Sequence, residues 1–148
     1  MLYDISDKDA LATEAAGFGI TPARSVLVVE DNPDGRESLR LLLELLGHRV
    51  EVAANGEEGV EKALVCRPEI AIVDIGLPRV DGFEVARQLR TALGNRVFLI
   101  AHTAYTAPED RHRASEAGFD AFLAKPLDLT LLFPYLGRDG DRGHRRPG

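Results

Sequence analysis

The chain is poor in several features that carry common functions. Its 148 residues include one cysteine, Cys66, and no tryptophan. A single thiol excludes an intramolecular disulfide framework and a multi-cysteine zinc site. No uncharged run approaches the ~18–20 apolar residues that a membrane-spanning helix requires. The start, Met1-Leu2-Tyr3-Asp4-Ile5-Ser6-Asp7, has acids where a secretory signal would have bases and then an apolar stretch. The Gly-x-x-x-x-Gly-Lys-Ser/Thr phosphate loop is missing too. Basic charge is scarce: 18 Lys and Arg face 24 Asp and Glu, for a net charge of −6. Residues 1–24 carry −2, with Asp4, Asp7, Asp9 and Glu14 against Lys8 and Arg24. Residues 137–148 carry +2, with Arg138, Arg142, Arg145 and Arg146 against Asp139 and Asp141. The segment between them therefore holds −6 and has no basic stripe to follow a phosphate backbone. These absences predict a cytoplasmic protein that engages neither nucleic acid nor membrane.

What is present is ordinary globular material, 45% hydrophobic and 28% charged, enough for one domain with short tails. The end from Gly137 to Gly148 alternates glycine with charge, cannot bury a core and is expected to be disordered. Residues 1–23 read as an extension, where Ser6-Asp7-Lys8-Asp9 and Gly17 predict a short helix over 7–16. The domain proper is expected over 24–136. It contains five short apolar runs, Val26–Val29, Val50–Ala53, Ile70–Val73, Val97–Ala101 and Ala121–Ala124. They do not alternate with polar residues, which is the pattern of strands covered on both faces. Between them come helical spacings: Leu39, Leu42, Leu43 and Leu46 closing at Gly47; Val60, Ala63 and Leu64; Phe83, Val85, Ala86 and Leu89. Right-handed crossovers then put helices on both faces of a parallel sheet. The expected fold class is α/β, a doubly wound five-stranded parallel sheet of (βα)5 type.

In such sheets the working site lies beyond the carboxyl ends of the strands. Glu30, Asp31 and Asn32 follow the first strand, and Asp74 follows the third. His102, Thr103 and Ala104 follow the fourth, and Lys125 and Pro126 the fifth. Crowded carboxylates repel unless a cation is present, and a small hard ion bound by oxygen suits them. Thr103 can donate a hydrogen bond, and Lys125 can offer a point charge to a developing oxyanion. That inventory serves phosphoryl transfer to an aspartate, which needs no general base because an ionised carboxylate is already nucleophilic. Other chemistries fit less well. An aspartate-nucleophile phosphatase of the haloacid dehalogenase type would want Asp-x-Asp at the end of the first strand, and a flavin-phosphate loop would want glycines and hydroxyls where this chain has acids.

Val26-Leu27-Val28-Val29-Glu30-Asp31-Asn32, Val73-Asp74-Ile75-Gly76-Leu77-Pro78 with Asp81-Gly82, His102-Thr103-Ala104 and Lys125-Pro126 resemble the receiver domain of two-component response regulators. The resemblance covers residues 24–130 and implies the flavodoxin-like strand order 2-1-3-4-5. It implies Asp74 as phosphoacceptor and Asp31 as direct ligand of Mg2+, with Glu30 as the companion acid. The Gly76 backbone carbonyl would be a further ligand, and Asp74 would share the metal. Thr103 and Lys125 would grip the phosphoryl group, Phe122 would be the aromatic switch residue, and the Lys125–Pro126 bond would be cis. It also implies a histidine kinase or histidine phosphotransfer protein as donor and a protein target downstream. No conventional enzyme activity is implied beyond Mg2+-dependent self-phosphorylation and autodephosphorylation. The expected role is a receiver without an output domain of its own. The alternatives are a module of a hybrid kinase or larger regulator, and an unphosphorylated scaffold.

Several residues have plainer readings. Asp81-Gly82 is expected to be a turn and helix start. His102 should point to the opposite side of its strand from Thr103 and serve packing. His48 and His112 lack partners at ligand spacing, and Cys66 is expected to be a buried or half-buried small apolar residue. Tyr105, two beyond Thr103, and Gly76, two beyond Asp74, flank the path of water to an acyl phosphate, so the ring is expected to impede hydrolysis. Pro134 removes an amide and crowds the Thr130 carbonyl, which predicts a last helix that is kinked, or short and irregular beyond Phe133.

Overall fold

A computed structural model describes residues 22–137. The expected helix over 7–16 and the tail from 138 lie outside the described residues. Five strands alternate with five helices: β1 Ser25–Val29, α1 Pro33–Leu45, β2 Arg49–Ala53, α2 Gly56–Cys66, β3 Ile70–Val73, α3 Gly82–Leu93, β4 Phe98–Thr103, α4 Pro108–Ala117, β5 Ala121–Ala124 and α5 Leu129–Leu136. All pairings are parallel and the order is β2-β1-β3-β4-β5. β1 pairs with β3 in the register Val29↔Val73, which delivers Glu30 and Asp74 side by side.

Strand residues alternate between two cores, one on each face of the sheet. Leu27, Val29, Ala71, Val73, Leu99 and Ala101 face Ala63 of α2, Phe83, Ala86 and Leu89 of α3, and Ala114 of α4. Val26, Val28, Ile70, Ile72, Phe98 and Ile100 face Leu39 and Leu43 of α1 and Leu132, Phe133 and Leu136 of α5. This double covering is why three central strands read as unbroken apolar runs. β2 differs. It is one of the two edge strands, and its residues Arg49 and Glu51 are exposed.

Two local expectations change. Cys66 is exposed, because it sits in the last turn of α2, where its Sγ donates to the Lys62 carbonyl. α5 is short, at 8 residues, but its helix continues through Pro134 to Leu136. In so short a helix the proline removes one bond, while Asp128 caps the start by accepting from the Thr130 amide at 2.9 Å.

Candidate functional site

Each acid is placed by a backbone element. Asn32 caps α1 with its side-chain oxygen, which accepts from the amides of Asp34 and Gly35 at 2.9 and 3.1 Å. That cap turns the chain sharply after β1, so the Asn32 amide donates to Glu30 Oε2 at 3.1 Å. Glu30 is 5% exposed and Asp74 9%, while Asp31 is exposed. Asp74 is held from the other side by the Gly76 amide, which donates to Oδ1 at 3.0 Å. One oxygen from each of Glu30, Asp31 and Asp74 lies within 4.8 Å of the others.

Lys125 crosses from the end of β5 into this group. Its Nζ lies 2.6 Å from Glu30 Oε1 and 3.0 Å from Asp74 Oδ2. The Lys125–Pro126 bond is cis. Burial works against the ammonium, but the Glu30 and Asp74 carboxylates outweigh it and hold the Lys125 pKa above the ordinary lysine value. Burial pushes Glu30 the other way: its carboxyl is raised, with the Asp74 charge adding to the rise and Lys125 opposing it. One ammonium among three carboxylates leaves two negative charges. Asp31 makes no ion pair among the described residues. An all-oxygen donor set with two unmatched negative charges suits a small divalent cation such as Mg2+.

Thr103 is fully buried at the end of β4. Its Oγ1 accepts from the Tyr105 amide at 3.1 Å, so the hydroxyl hydrogen stays free to donate. Tyr105 is 58% exposed, and its ring lies against Gly76: a Cβ built there would come 2.6 Å from Tyr105 Cε2. Phe122 is half-buried and packs against the α2–α4 core. His102 lies on the opposite face from Thr103, as the strand period requires. It is nonetheless part of the site, lining a cavity of about 520 Å3 with Asp74, Lys125, Leu39 and Leu127. Burial, helped by the Lys125 charge, lowers its pKa to about 4, so the imidazole is neutral at physiological pH.

Residues 26–136 match the response regulator receiver domain. The chain belongs to the response regulator receiver family. Relatives of this receiver include an uncharacterized 14.6 kDa protein of Leptolyngbya boryana, 39% identical over 108 residues, 72% of this chain and 82% of that one. The response regulator MprA of Mycolicibacterium vanbaalenii is 38% identical over 107 residues, 72% of this chain but 46% of MprA. The receiver thus spans about half the length of MprA. Among solved structures, the receiver domain of the sensor histidine kinase PA1611 from Pseudomonas aeruginosa PAO1, with magnesium coordinated in its active-site cleft, is 34% identical, with a TM-score of 0.70 over 78% of this chain and 95% of that one. Chemotaxis protein CheY4 of Vibrio cholerae is 30% identical, with a TM-score of 0.70 over 75% of this chain and 94% of that one. Among the described residues of the receiver, no helix is long and apolar enough to cross a membrane.

Glu30, Asp31, Asp74, Thr103 and Lys125 all stand at the carboxyl edge of the sheet. The supporting roles of two residues escaped the sequence reading. Asn32 positions Glu30, and Asn32-Pro33-Asp34 could have been read as a helix start. Gly82 opens α3 so close to β3 that a Cβ there would lie 2.4 Å from the Asp74 carbonyl oxygen and 2.5 Å from Ile75 Cα. Asp81-Gly82 does start a helix, with Asp81 accepting from the Glu84 amide at 3.0 Å, but the glycine also sets the height of the Asp74 loop.

Proposed function

We propose that this receiver, folded over residues 24–136, accepts a phosphoryl group on Asp74 from a histidine kinase or histidine phosphotransfer protein. A small phosphodonor can serve in the same way. The observation that supports this reading most directly is Lys125 Nζ lying within 3.0 Å of both Glu30 and Asp74. An ammonium so placed can follow charge from the carboxylates to an incoming phosphoryl oxygen.

In the transfer, an Asp74 carboxylate oxygen attacks phosphorus while the donor bond breaks. That is P–N for a phosphohistidine and P–O for acetyl phosphate, and the electron pair leaves with the donor. Lys125 and the free Thr103 hydroxyl hydrogen receive the equatorial oxygens. Glu30, Asp31, Asp74 and the Gly76 carbonyl would hold Mg2+, which would supply positive charge to offset that on the phosphoryl oxygens. The Tyr105 ring beside Gly76 narrows the approach of water to the product, which favours a longer-lived phosphorylated state. Once Lys125 and Thr103 turn to the phosphoryl group, Phe122 repacks and a downstream protein target reads the altered surface.

Intact-mass analysis after incubation with acetyl phosphate and Mg2+ tests the assignment. Wild type gains one phosphoryl group and Asp74→Asn gains none. A wild type that stays unmodified, or an Asp74→Asn variant labelled as fully as wild type, overturns it.

A further inference from the structure

Helix α4 is anchored unlike α3, the helix packed beside it. Its ten residues, Pro-Glu-Asp-Arg-His-Arg-Ala-Ser-Glu-Ala, bury only Ala114 and Ala117. α3, beside it, buries Phe83, Val85, Ala86, Leu89 and Leu93. A half-open pocket of about 160 Å3 lies between α4 and β5, lined by Arg111, Ala114, Ser115, Phe119, Asp120 and Phe122. Apolar packing therefore holds this helix weakly.

Two guanidinium groups supply the missing attachment. Arg111 lies over the Phe122 ring of β5 at 4.6 Å, and Arg113 lies over the Phe83 ring of α3 at 4.1 Å. Neither arginine makes an ion pair among the described residues, although Glu109, Asp110 and Glu116 share the helix. Both charges face rings instead. Along its length α4 is thus pinned at two points, one on each neighbouring element, through contacts that are directional and moderate in strength, while its cap at Gly118 is tied separately to α3 by Arg90, which donates to the Gly118 carbonyl at 2.6 Å.

The pinned helix is tied to the site. Thr103 ends β4, its Oγ1 holds the Tyr105 amide, and the Asp110 carboxylate accepts from the Ala107 amide at 3.2 Å at the start of α4. A shift of Thr103 therefore moves the segment that carries α4, and Phe122 stands three residues before Lys125 on the next strand. We propose that Arg111 and Arg113 form a latch that holds α4 in the arrangement belonging to unmodified Asp74. Arg111 acts through Phe122 as a positioning residue that opposes phosphorylation. This inference rests on the phosphoryl-acceptor reading above. The latch is made in the state where Lys125 is paired with Glu30 and Asp74, so loosening it lowers the cost of leaving that state.

The test uses the whole chain and two readouts. Amide hydrogen exchange in α4, measured without any phosphodonor, reports the latch alone. Arg111→Ala is expected to speed exchange in α4 by about two- to five-fold, the factor that one exposed cation–ring contact supports, and to leave β1 and β3 at wild-type rates. Beryllofluoride affinity in the presence of Mg2+ reports the coupling. Arg111→Ala is expected to tighten it by a similar factor, Arg113→Ala to act in the same direction, and Arg111→Lys, which keeps a cation over the ring, to retain part of the wild-type behaviour. Unchanged α4 exchange in both alanine variants overturns the latch, and unchanged or weaker beryllofluoride binding overturns its role. If wild type binds no beryllofluoride, the phosphoryl reading fails, and the exchange rates still decide whether the latch exists.

Discussion

At the amino edge of the sheet Arg24 is 5% exposed, and at the carboxyl edge Glu30 is 5% exposed. The two buried charges are treated differently. Arg24 donates its Nε to the Leu136 carbonyl at 3.0 Å, its amide donates to His48 Nδ1 at 3.0 Å, and Glu69 lies 3.8 Å from its guanidinium. Glu69 is bound in turn by the Ser25 amide, and Ser25 Oγ by the Glu69 amide. Charge there is matched and ties β1, β2, β3 and the end of α5 together. At the other edge three carboxylates meet one ammonium. The same fold thus spends one edge on cohesion and leaves the other under electrostatic tension that a cation or a phosphoryl group can change.

The largest effect that would sharpen this contrast comes from Gly82. A methyl group there has backbone, not a flexible side chain, 2.4 and 2.5 Å away, so relief requires moving the Asp74 loop or the start of α3. Gly82→Ala should destabilise the receiver by about 3 kcal/mol in urea unfolding, the upper end for overpacking. It should also slow labelling of Asp74 by acetyl phosphate. A variant with wild-type stability and labelling would show that the acid edge does not depend on this close approach.

A smaller effect separates the edges by pH. His48 is buried, and its Nδ1 accepts the Arg24 amide, so only the neutral ring fits. Burial, helped by the Arg24 charge, lowers its pKa below the ordinary histidine value. Above the unfolded value of about 6.5 both states are neutral and His48 adds no pH dependence. As pH falls through that value the unfolded chain takes up a proton that the folded chain refuses, and stability drops. His102, lowered to about 4, acts in the same direction. His48→Asn, whose Oδ1 can replace Nδ1 as acceptor, should flatten part of the acid slope between pH 7 and 5 in urea titrations. An unaltered slope would assign the acid sensitivity to the carboxyl edge instead.

How much of this was legible in the sequence follows from the range of the forces involved. Strand positions and the carboxyl-edge residues could be read because doubly covered strands and βα turns are local patterns. The order that seats Glu30 beside Asp74 came with the resemblance. What stayed hidden depends on contacts between distant segments. His48 looked unpartnered because its partner, the Arg24 amide, is 24 residues away. Cys66 looked like core because residue type does not say which side of a final helical turn faces the sheet. His102 was assigned to the correct face, yet that face holds the cavity shared with Asp74. The attachment of α4 through Arg111 and Arg113 was invisible, since a polar helix in sequence reads only as a solvated one.

The smallest effect bears most directly on the contrast, because it removes tension without touching packing. Asp31 is exposed, lies within 4.8 Å of Glu30 and Asp74 through its carboxylate, and has no ion pair among the described residues. At the amino edge, removing a charge would break a matched set. Here it should relieve repulsion, so Asp31→Asn is expected to stabilise the metal-free receiver by about 0.5 kcal/mol, typical of an improved surface charge. Millimolar Mg2+ should reverse the ranking, raising the thermal midpoint of wild type by mass action while the variant, short of one ligand, gains less. An Asp31→Asn protein that is less stable without metal would mean that Asp31 is a structural partner like Glu69. The two edges would then be built on the same terms.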